Sequence, residues 1–465
     1  MAGTGIAAGT TVTAVTATTV TLSRATTAAR TTESLDVSNG GGAAISLTKA
    51  DAGTWQLAGV NTYTGATTIT NGILKLKANL AASTIIADGS AITFSSNTTT
   101  LTAGGTLEFI GISGSATTEA LGTLTPTAGA GKVTLTSGGG GAAANLTFSS
   151  LGATTAASSV NFLTSGGGGG LITLTGQAET TALTLPGTAN FLGHLYVNGA
   201  DFAAMNASAQ VITPTYGTTS GFVLGGAALT AGSHNIVDTA ILSQAAVAVT
   251  SLKMTNANLT LAGNLTLNLG ALLQTGGSAQ IDGTVSGRLI LGALPATNIA
   301  IRVNGASDTL TLTSNVNIGS AQTGVFTKNG AGTLVIAGTN AQTGATTINE
   351  GTVRLSGTSA RLSASSVATI LRQGATLDLN GQSTGVAIGS FDGAGTVTNT
   401  GTSPATLVVG NVTTGAGIFS GIIQDGAGVT NVSVTGTTGS PTWSGLNTYT
   451  GVTTIGTGLA TTANL

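Results

Sequence analysis

Gly53-Thr54-Trp55-Gln56-Leu57-Ala58-Gly59 leads through Val60 into Asn61-Thr62-Tyr63-Thr64-Gly65-Ala66-Thr67-Thr68-Ile69, and then into Asn71-Gly72-Ile73-Leu74-Lys75-Leu76. The same string returns without a gap over 332–355: Gly332-Thr333-Leu334, Ala337-Gly338, Asn340, Thr343-Gly344-Ala345-Thr346-Thr347-Ile348, Gly351 and Val353-Arg354-Leu355. A third copy, over 441–465, keeps Trp443, Gly445, Asn447-Thr448-Tyr449-Thr450-Gly451, Thr453-Thr454-Ile455 and Gly458, and its closing strand has decayed. Chance does not return Asn-x-x-Thr-Gly-x-Thr-Thr-Ile three times with its flanking glycines. The unit is about 24 residues, close to one coil of a solenoid, and a single coil cannot close a core by itself.

Outward from these copies the same grammar continues. Leu74-Lys75-Leu76-Lys77, Leu265-Thr266-Leu267-Asn268-Leu269, Leu310-Thr311-Leu312 and Leu377-Asp378-Leu379 put an aliphatic at every second position. That is the period of a strand with one buried face. No window carries the 3.6-residue period of an amphipathic helix. The texture is continuous, without the linkers and separate cores of a string of sandwiches. The sequence therefore predicts an all-β chain, one continuous parallel β-helix over 1–465, elongated to about 20 coils and on the order of 100 Å. Threonine and asparagine at equivalent places would stack as ladders, and glycine would turn the corners. The glycine runs at 138–141 and 166–170 read as turns or loops protruding from the rod. The least repetitive stretch is about 190–240.

Composition agrees. Charged residues are 6% of the chain, where a soluble domain averages about 25%. Hydrophobic residues are 41%, enough for a core and too many for disorder, and with aromatics at 3% that core is aliphatic. Net charge is −2, from 13 basic and 15 acidic residues spread thinly, so nothing neutralises a phosphate backbone or an anionic membrane, and no nucleic-acid partner is expected. No apolar run approaches the roughly 18 residues of a transmembrane segment. Cysteine is absent, which excludes disulfides, thiol catalysis and thiolate metal sites. The start at Met1 shows no signal-peptide pattern, and the end at Leu465 falls inside a repeat, so an excerpt of a longer chain is expected.

The three copies resemble the autotransporter-associated β-strand repeat, also called the passenger-associated transport repeat. Its usual form reads Gly-Thr-Trp-x-Leu-x-Gly-x-Asn-Thr-Tyr-Thr-Gly-x-Thr-Thr-Ile-x-x-Gly-x-Leu-x-Leu, and residues 53–76 match it at nearly every fixed position. Residues 332–355 depart from it, with Leu334 for the tryptophan and Gln342 for the tyrosine. Residues 374–381 and 389–397 resemble what often follows such repeats. The resemblance implies a right-handed parallel β-helix outside the cell, secreted or displayed by a bacterium, with no catalytic residues in the motif. No closing series of barrel strands is seen, so the export route stays open.

Chemistry is sparse. Asp282, Asp378, Asp392 and Asp425 stand singly, and the interchange of Asp392 and Asp425 with Asn329 before Gly-Ala-Gly reads as turn chemistry rather than a charge requirement. Gly381-Gln382-Ser383-Thr384-Gly385 satisfies a nucleophile pattern that needs a strand-to-helix elbow and a later histidine, yet His194 and His234 both lie upstream. Two histidines about forty residues apart make a poor metal site. No cofactor is expected. Trp55, Asn61, Tyr63 and Gly65, Asn340 and Gly344, and Trp443, Asn447, Tyr449 and Gly451 read as structural positions of the repeat. The leading functional expectation is a non-enzymatic rod that self-associates, head to tail or laterally, into a filament, sheath or surface layer. The end strands of a coil stack are unpaired, and the sequence marks nothing polar to cap them. The alternatives are an adhesin passenger, with residues 190–240 facing a surface glycan or host ligand, and a carbohydrate-active β-helix enzyme.

Overall fold

The two ends of the first repeat copy lie side by side. In the computed structural model the strands Thr54–Leu57 and Gly72–Lys77 run parallel, with Thr54 opposite Ile73, Trp55 opposite Leu74 and Leu57 opposite Leu76. Ile73 follows Thr54 by 19 residues, and in the second copy Thr352 follows its partner Thr333 by the same 19. One circuit of backbone thus returns the chain one strand spacing, about 4.8 Å, above itself. The 24-residue repeat is one circuit plus the strand that closes it.

The structure describes residues 12–15, 19–22, 44–61, 63–79, 84–96, 101–152, 157–165, 169–176, 194–284, 287–292, 298–318, 323–357, 360–362, 368–410, 417–435 and 442–456. Their regular structure is β, with no α-helix among the described residues. Thr62, residues 166–168 of the second glycine run, and the tail of the third copy at 457–465 lie outside them.

The chain divides into two compact units. The first is built mainly from residues up to 213. Here the backbone alternates between an eight-stranded and a seven-stranded sheet. Successive strands of the second sheet are Thr54–Leu57, Gly72–Lys77, Gly105–Ile110, Gly129–Thr136, Ser158–Ser165 and Leu195–Val197, each parallel to the next. The inward column on this sheet runs Trp55, Leu74, Leu107, Val133, Phe162 and Val197 in register, all buried. On the outer face of the first sheet, Thr48, Thr68, Thr93 and Thr125 stack in register.

The second unit, built mainly from 214–465, has sheets of 13 and nine strands and a four-stranded sheet that joins the later coils. Its inward column is Leu310, Leu334, Val353, Leu377, Val397 and Ile423. Each such side chain contributes roughly 1.5–3 kcal/mol on burial, so the interior is held by many equal, modest terms. Outside, Ser278, Thr309, Thr333, Thr352, Thr376 and Thr396 form one ladder. β-Branched side chains suit such a pleated, half-buried surface.

The parallel run breaks inside the stretch that is least repetitive in sequence. Asp201–Phe202 turns back antiparallel on Leu195–Val197, and Ala204–Met205 pairs antiparallel with Val211–Ile212. Gln210 bridges Thr173 on the other sheet. The last strands of both sheets of the first unit are therefore covered by residues 201–212 of their own chain. A cap that the sequence had not marked is present at this end. The first parallel step of the second unit, Phe222–Val223 on His234–Val237, carries its own aromatic cover. Tyr216 meets Phe222 edge-on at 5.5 Å, and Phe222 stacks on His234 at 4.5 Å.

Candidate functional site

The side chains that distinguish the repeat face inward. Tyr63 is fully buried and shares a 2.7 Å hydrogen bond with Thr67 Oγ1. Tyr449 makes the same bond, 2.7 Å, to Thr453. Asn61 is buried, and its amide donates to the carbonyls of Gly59 (2.9 Å) and, one coil on, Ile85 (2.8 Å). Asn340 likewise donates to Leu362 O of the next coil and accepts from Gln342 N at 2.9 Å. Asn447 is half-buried and accepts from Ile423 N at 2.9 Å. Trp55 and Trp443 belong to the core. A sugar-stacking platform would need these rings on the surface.

The three motif glycines answer to one steric demand. A Cβ on Gly65 would lie 2.3 Å from Ile45 O, one on Gly344 2.0 Å from Gly324 O, and one on Gly451 2.2 Å from Thr430 O. Each is the point where one coil rests against a carbonyl of the coil before it.

Two functional positions of the repeat escaped the sequence reading. Lys49 and Lys328 point into the interior, directly opposite Ile69 and Ile348 on the neighbouring strand. Lys328 Nζ donates to the carbonyls of Asn329 (2.9 Å), Gly330 (2.8 Å) and Glu350 (3.1 Å). Lys49 Nζ donates to the carbonyls of Asp51 and Asn71, the latter at 3.3 Å, and lies 5.2 Å from the Trp55 ring centroid. Desolvation lowers Lys328 to about 7, against the raising pull of Glu350, and Lys49 to about 8, against Asp51. Each ammonium supplies the donors that inward-turned carbonyls would otherwise lack. The signal was present: Lys49 precedes Thr54, and Lys328 precedes Thr333, by the same five residues.

Four aspartates are occupied with turns. Asp378 takes the Arg354 Nε at 2.7 Å and the Thr400 hydroxyl at 2.6 Å. Asp425 repeats the second contact with Thr450 one coil further on, at 2.6 Å, and its pKa is lowered first by that hydroxyl. Asp282 is lowered likewise by Thr313. Asp392 accepts the Ile418 N–H at 2.9 Å. Glu119 is shifted the other way. It is buried, accepts the backbone N–H groups of Ile85 and Ile86 at 3.0 and 2.9 Å, and is raised by desolvation to about 7. His234 bonds Ser251 Oγ at 2.7 Å beneath Phe222, and desolvation lowers it to about 4. Ser383 sits in a turn followed by a strand, not a helix. Among the described residues no three His, Cys, Asp or Glu side chains converge as a metal site. Nor is any helix there long and apolar enough to cross a membrane.

Stacked parallel circuits, an aliphatic interior and a lysine clasp once in each of the first two repeat copies define a parallel β-solenoid. Comparison with known proteins gives the class a context. Residues 47–76 and 326–355 match the passenger-associated-transport-repeat, spans that include Lys49 and Lys328. The adhesin BmaC autotransporter of Brucella suis biovar 1 (strain 1330) is 34% identical over 161 residues, which are 34% of this chain and 4% of that protein. No solved structure matches.

Proposed function

We infer that this chain is a stretch of β-helical stem from a surface-exposed or secreted bacterial passenger of the adhesin type, working by presenting a surface rather than by catalysis. The observation that carries the reading is the recurrence of one coil, with the same lysine, glycine and asparagine fittings, at both stretches that match the passenger repeat. The similarity to part of an adhesin autotransporter supports it. A stem of this kind stands outside the cell, and its ligand is a host-cell surface or a surface glycan. Asp282, Asp378, Asp392 and Asp425, each engaged singly in a turn, support a non-catalytic role. Residues 214–242 are the candidate recognition segment: Leu224 and Leu242 are exposed there, 59% and 80%, within and just past the least repetitive stretch.

The test is adhesion of beads coated with the chain to cultured host cells. Coated beads should bind, and beads carrying a chain with Leu224 and Leu242 changed to serine should bind less. Binding no better than that of bare beads would end the adhesive reading. Assembly into a filament or sheath by head-to-tail docking is a weaker reading, because residues 201–212 already cover the last strands of the first unit.

A further inference from the structure

Five Asn–Gly steps lie among the described residues: Asn71–Gly72, Asn198–Gly199, Asn304–Gly305, Asn329–Gly330 and Asn380–Gly381. Asn–Gly is the dipeptide of tight left-handed turns, and all but one of these glycines have positive φ. It is also the dipeptide in which the backbone nitrogen meets least obstruction on approach to the preceding side chain, since glycine has no Cβ.

The structure separates one step from the other four. Gly199 N donates to Asn161 Oδ1 (2.7 Å), Gly305 N to Asp308 Oδ2 (2.8 Å), Gly330 N to Glu350 Oε2 (3.1 Å) and Gly381 N to Asn399 Oδ1 (2.7 Å). In each case another residue's side chain holds the glycine nitrogen away from its own asparagine. Gly72 N instead donates to Oδ1 of Asn71 itself, at 2.8 Å, so the nitrogen and that asparagine's Cγ are neighbours. Asn71 is half-exposed, which admits water. The terminal torsion of asparagine is broad, so a small rotation turns this contact into an approach to Cγ. Lys49 Nζ stands alongside, bonded to Asn71 O at 3.3 Å and 2.7 Å from where a Cβ on Gly72 would lie. An ammonium so placed stabilises negative charge as it develops on the attacking nitrogen and on the tetrahedral oxygen.

We propose that Asn71–Gly72 is a self-modification site, at which the folded chain converts Asn71 to aspartate or isoaspartate with water as the only co-reactant. The Gly72 nitrogen bonds to Asn71 Cγ and gives up its proton. The Cγ–Nδ2 bond breaks, and ammonia leaves with that proton. Water then adds to one carbonyl of the succinimide ring, and that carbonyl's bond to the ring nitrogen breaks. Opening on the side-chain side gives aspartate; opening on the main-chain side gives isoaspartate. The product places a carboxylate beside Lys49. The second repeat copy has a carboxylate at the equivalent position, Glu350, which acts on Lys328 and also lies 3.7 Å from Arg302. The inference rests on the fold of the coil and not on the adhesive reading.

The experiment uses the whole folded chain, held near neutral pH, where Lys49 keeps its charge, in heavy-oxygen water and then digested for mass spectrometry. The peptide containing Asn71 should take up one heavy oxygen at a rate about tenfold or more above those containing Asn198, Asn304, Asn329 and Asn380. In urea the five rates should converge. Asn71→Gln should remove the label from its own peptide and leave the others unchanged. Retention of the Asn71 amide in the folded chain, or conversion of the other four at a comparable rate, would overturn the proposal.

Discussion

Tyr63 and Gln342 occupy the same station in two coils, each four residues before a motif threonine, and they fill it differently. Tyr63 reaches across and bonds Thr67 Oγ1. Gln342 turns its amide onto the carbonyls of Gly324 (3.1 Å) and Gly344 (2.6 Å), and leaves Gln342 Oε1 and Thr346 Oγ1 buried without a hydrogen-bond partner. Around this difference the backbone fittings of the coil are kept. Lys49 and Lys328 clasp equivalent carbonyls, and Gly65 and Gly344 rest on the coil before. The contrast shows what a stacked coil requires. Where backbone approaches backbone the residue is fixed, and where carbonyls turn inward a donor is fixed. Where only volume must be filled, the side chain can vary at a modest cost.

The largest expected effect is therefore at the glycines. Gly65→Ala and Gly344→Ala should each cost about 3 kcal/mol, because the obstruction is a neighbouring carbonyl that cannot rotate away. Gly344→Ala should be the worse, its contact being 2.0 Å against 2.3 Å. The chain's two tryptophans give a local readout, since Trp55 lies in the first unit and Trp443 in the second. Urea unfolding followed in single-tryptophan variants should show each loss in its own unit. A loss below about 1 kcal/mol at either glycine would break the equivalence of the two coils.

Next come the lysines. Lys328→Met and Lys49→Met keep the stem and remove the donors, which should cost about 2 kcal/mol each through carbonyls left buried and unbonded. Only Lys49→Met should shift the emission of Trp55, whose ring faces Lys49. If both variants are as stable as the parent, the clasp is incidental. Exchanging the differing residues sharpens the comparison further. Tyr63→Gln should lose about 1 kcal/mol in the first unit, and Gln342→Tyr should gain a similar amount in the second by giving Thr346 a partner. A loss in both directions would mean that the coils have repacked around their own residues.

Much of this was legible in the sequence, and for physical reasons. The alternation Leu74-Lys75-Leu76 predicts an inward Leu74 and Leu76, and both are fully buried. The recurrence of Asn-x-x-Thr-Gly-x-Thr-Thr-Ile predicts equivalent coils, and the strands of residues 53–76 and 332–355 pair with the same 19-residue circuit. The recurrence of Lys49 and Lys328 was legible in their spacing, but their burial was not, because a charged residue at an alternating position reads as solvated and its destination depends on carbonyls supplied by the turns of two coils. The cover formed by residues 201–212 was hidden for a related reason. Antiparallel pairing of two-residue strands carries no periodicity, and Asp201–Phe202 has none of the alternation that marked the coils. Glu119 illustrates the same limit, since its partners Ile85 and Ile86 lie a coil away and offer only backbone.

The subtlest consequence is a difference in how the two units respond to pH, and its sign follows from burial alone. Glu119 in the first unit is raised from 4.5 to about 7, so between those values the folded chain holds a proton that the unfolded chain has lost, and stability falls as pH rises. His234 in the second unit is lowered from 6.5 to about 4, so over that window the unfolded chain holds the extra proton, and stability rises with pH. Between about pH 4.5 and 6.5 the units should move in opposite directions. Above pH 7 the lysines add a rise in both, starting near 7 for Lys328 and near 8 for Lys49, each ending near the ordinary 10.5. Each group can contribute at most about 1.4 kcal/mol per pH unit, and less where water follows the charge into the turn. Thermal unfolding read separately at Trp55 and Trp443 across this range should give crossing trends. Glu119→Gln should flatten the first below pH 7 and leave the second unchanged. Parallel trends in the two units would mean that the burial of Glu119 and His234 does not govern their protons.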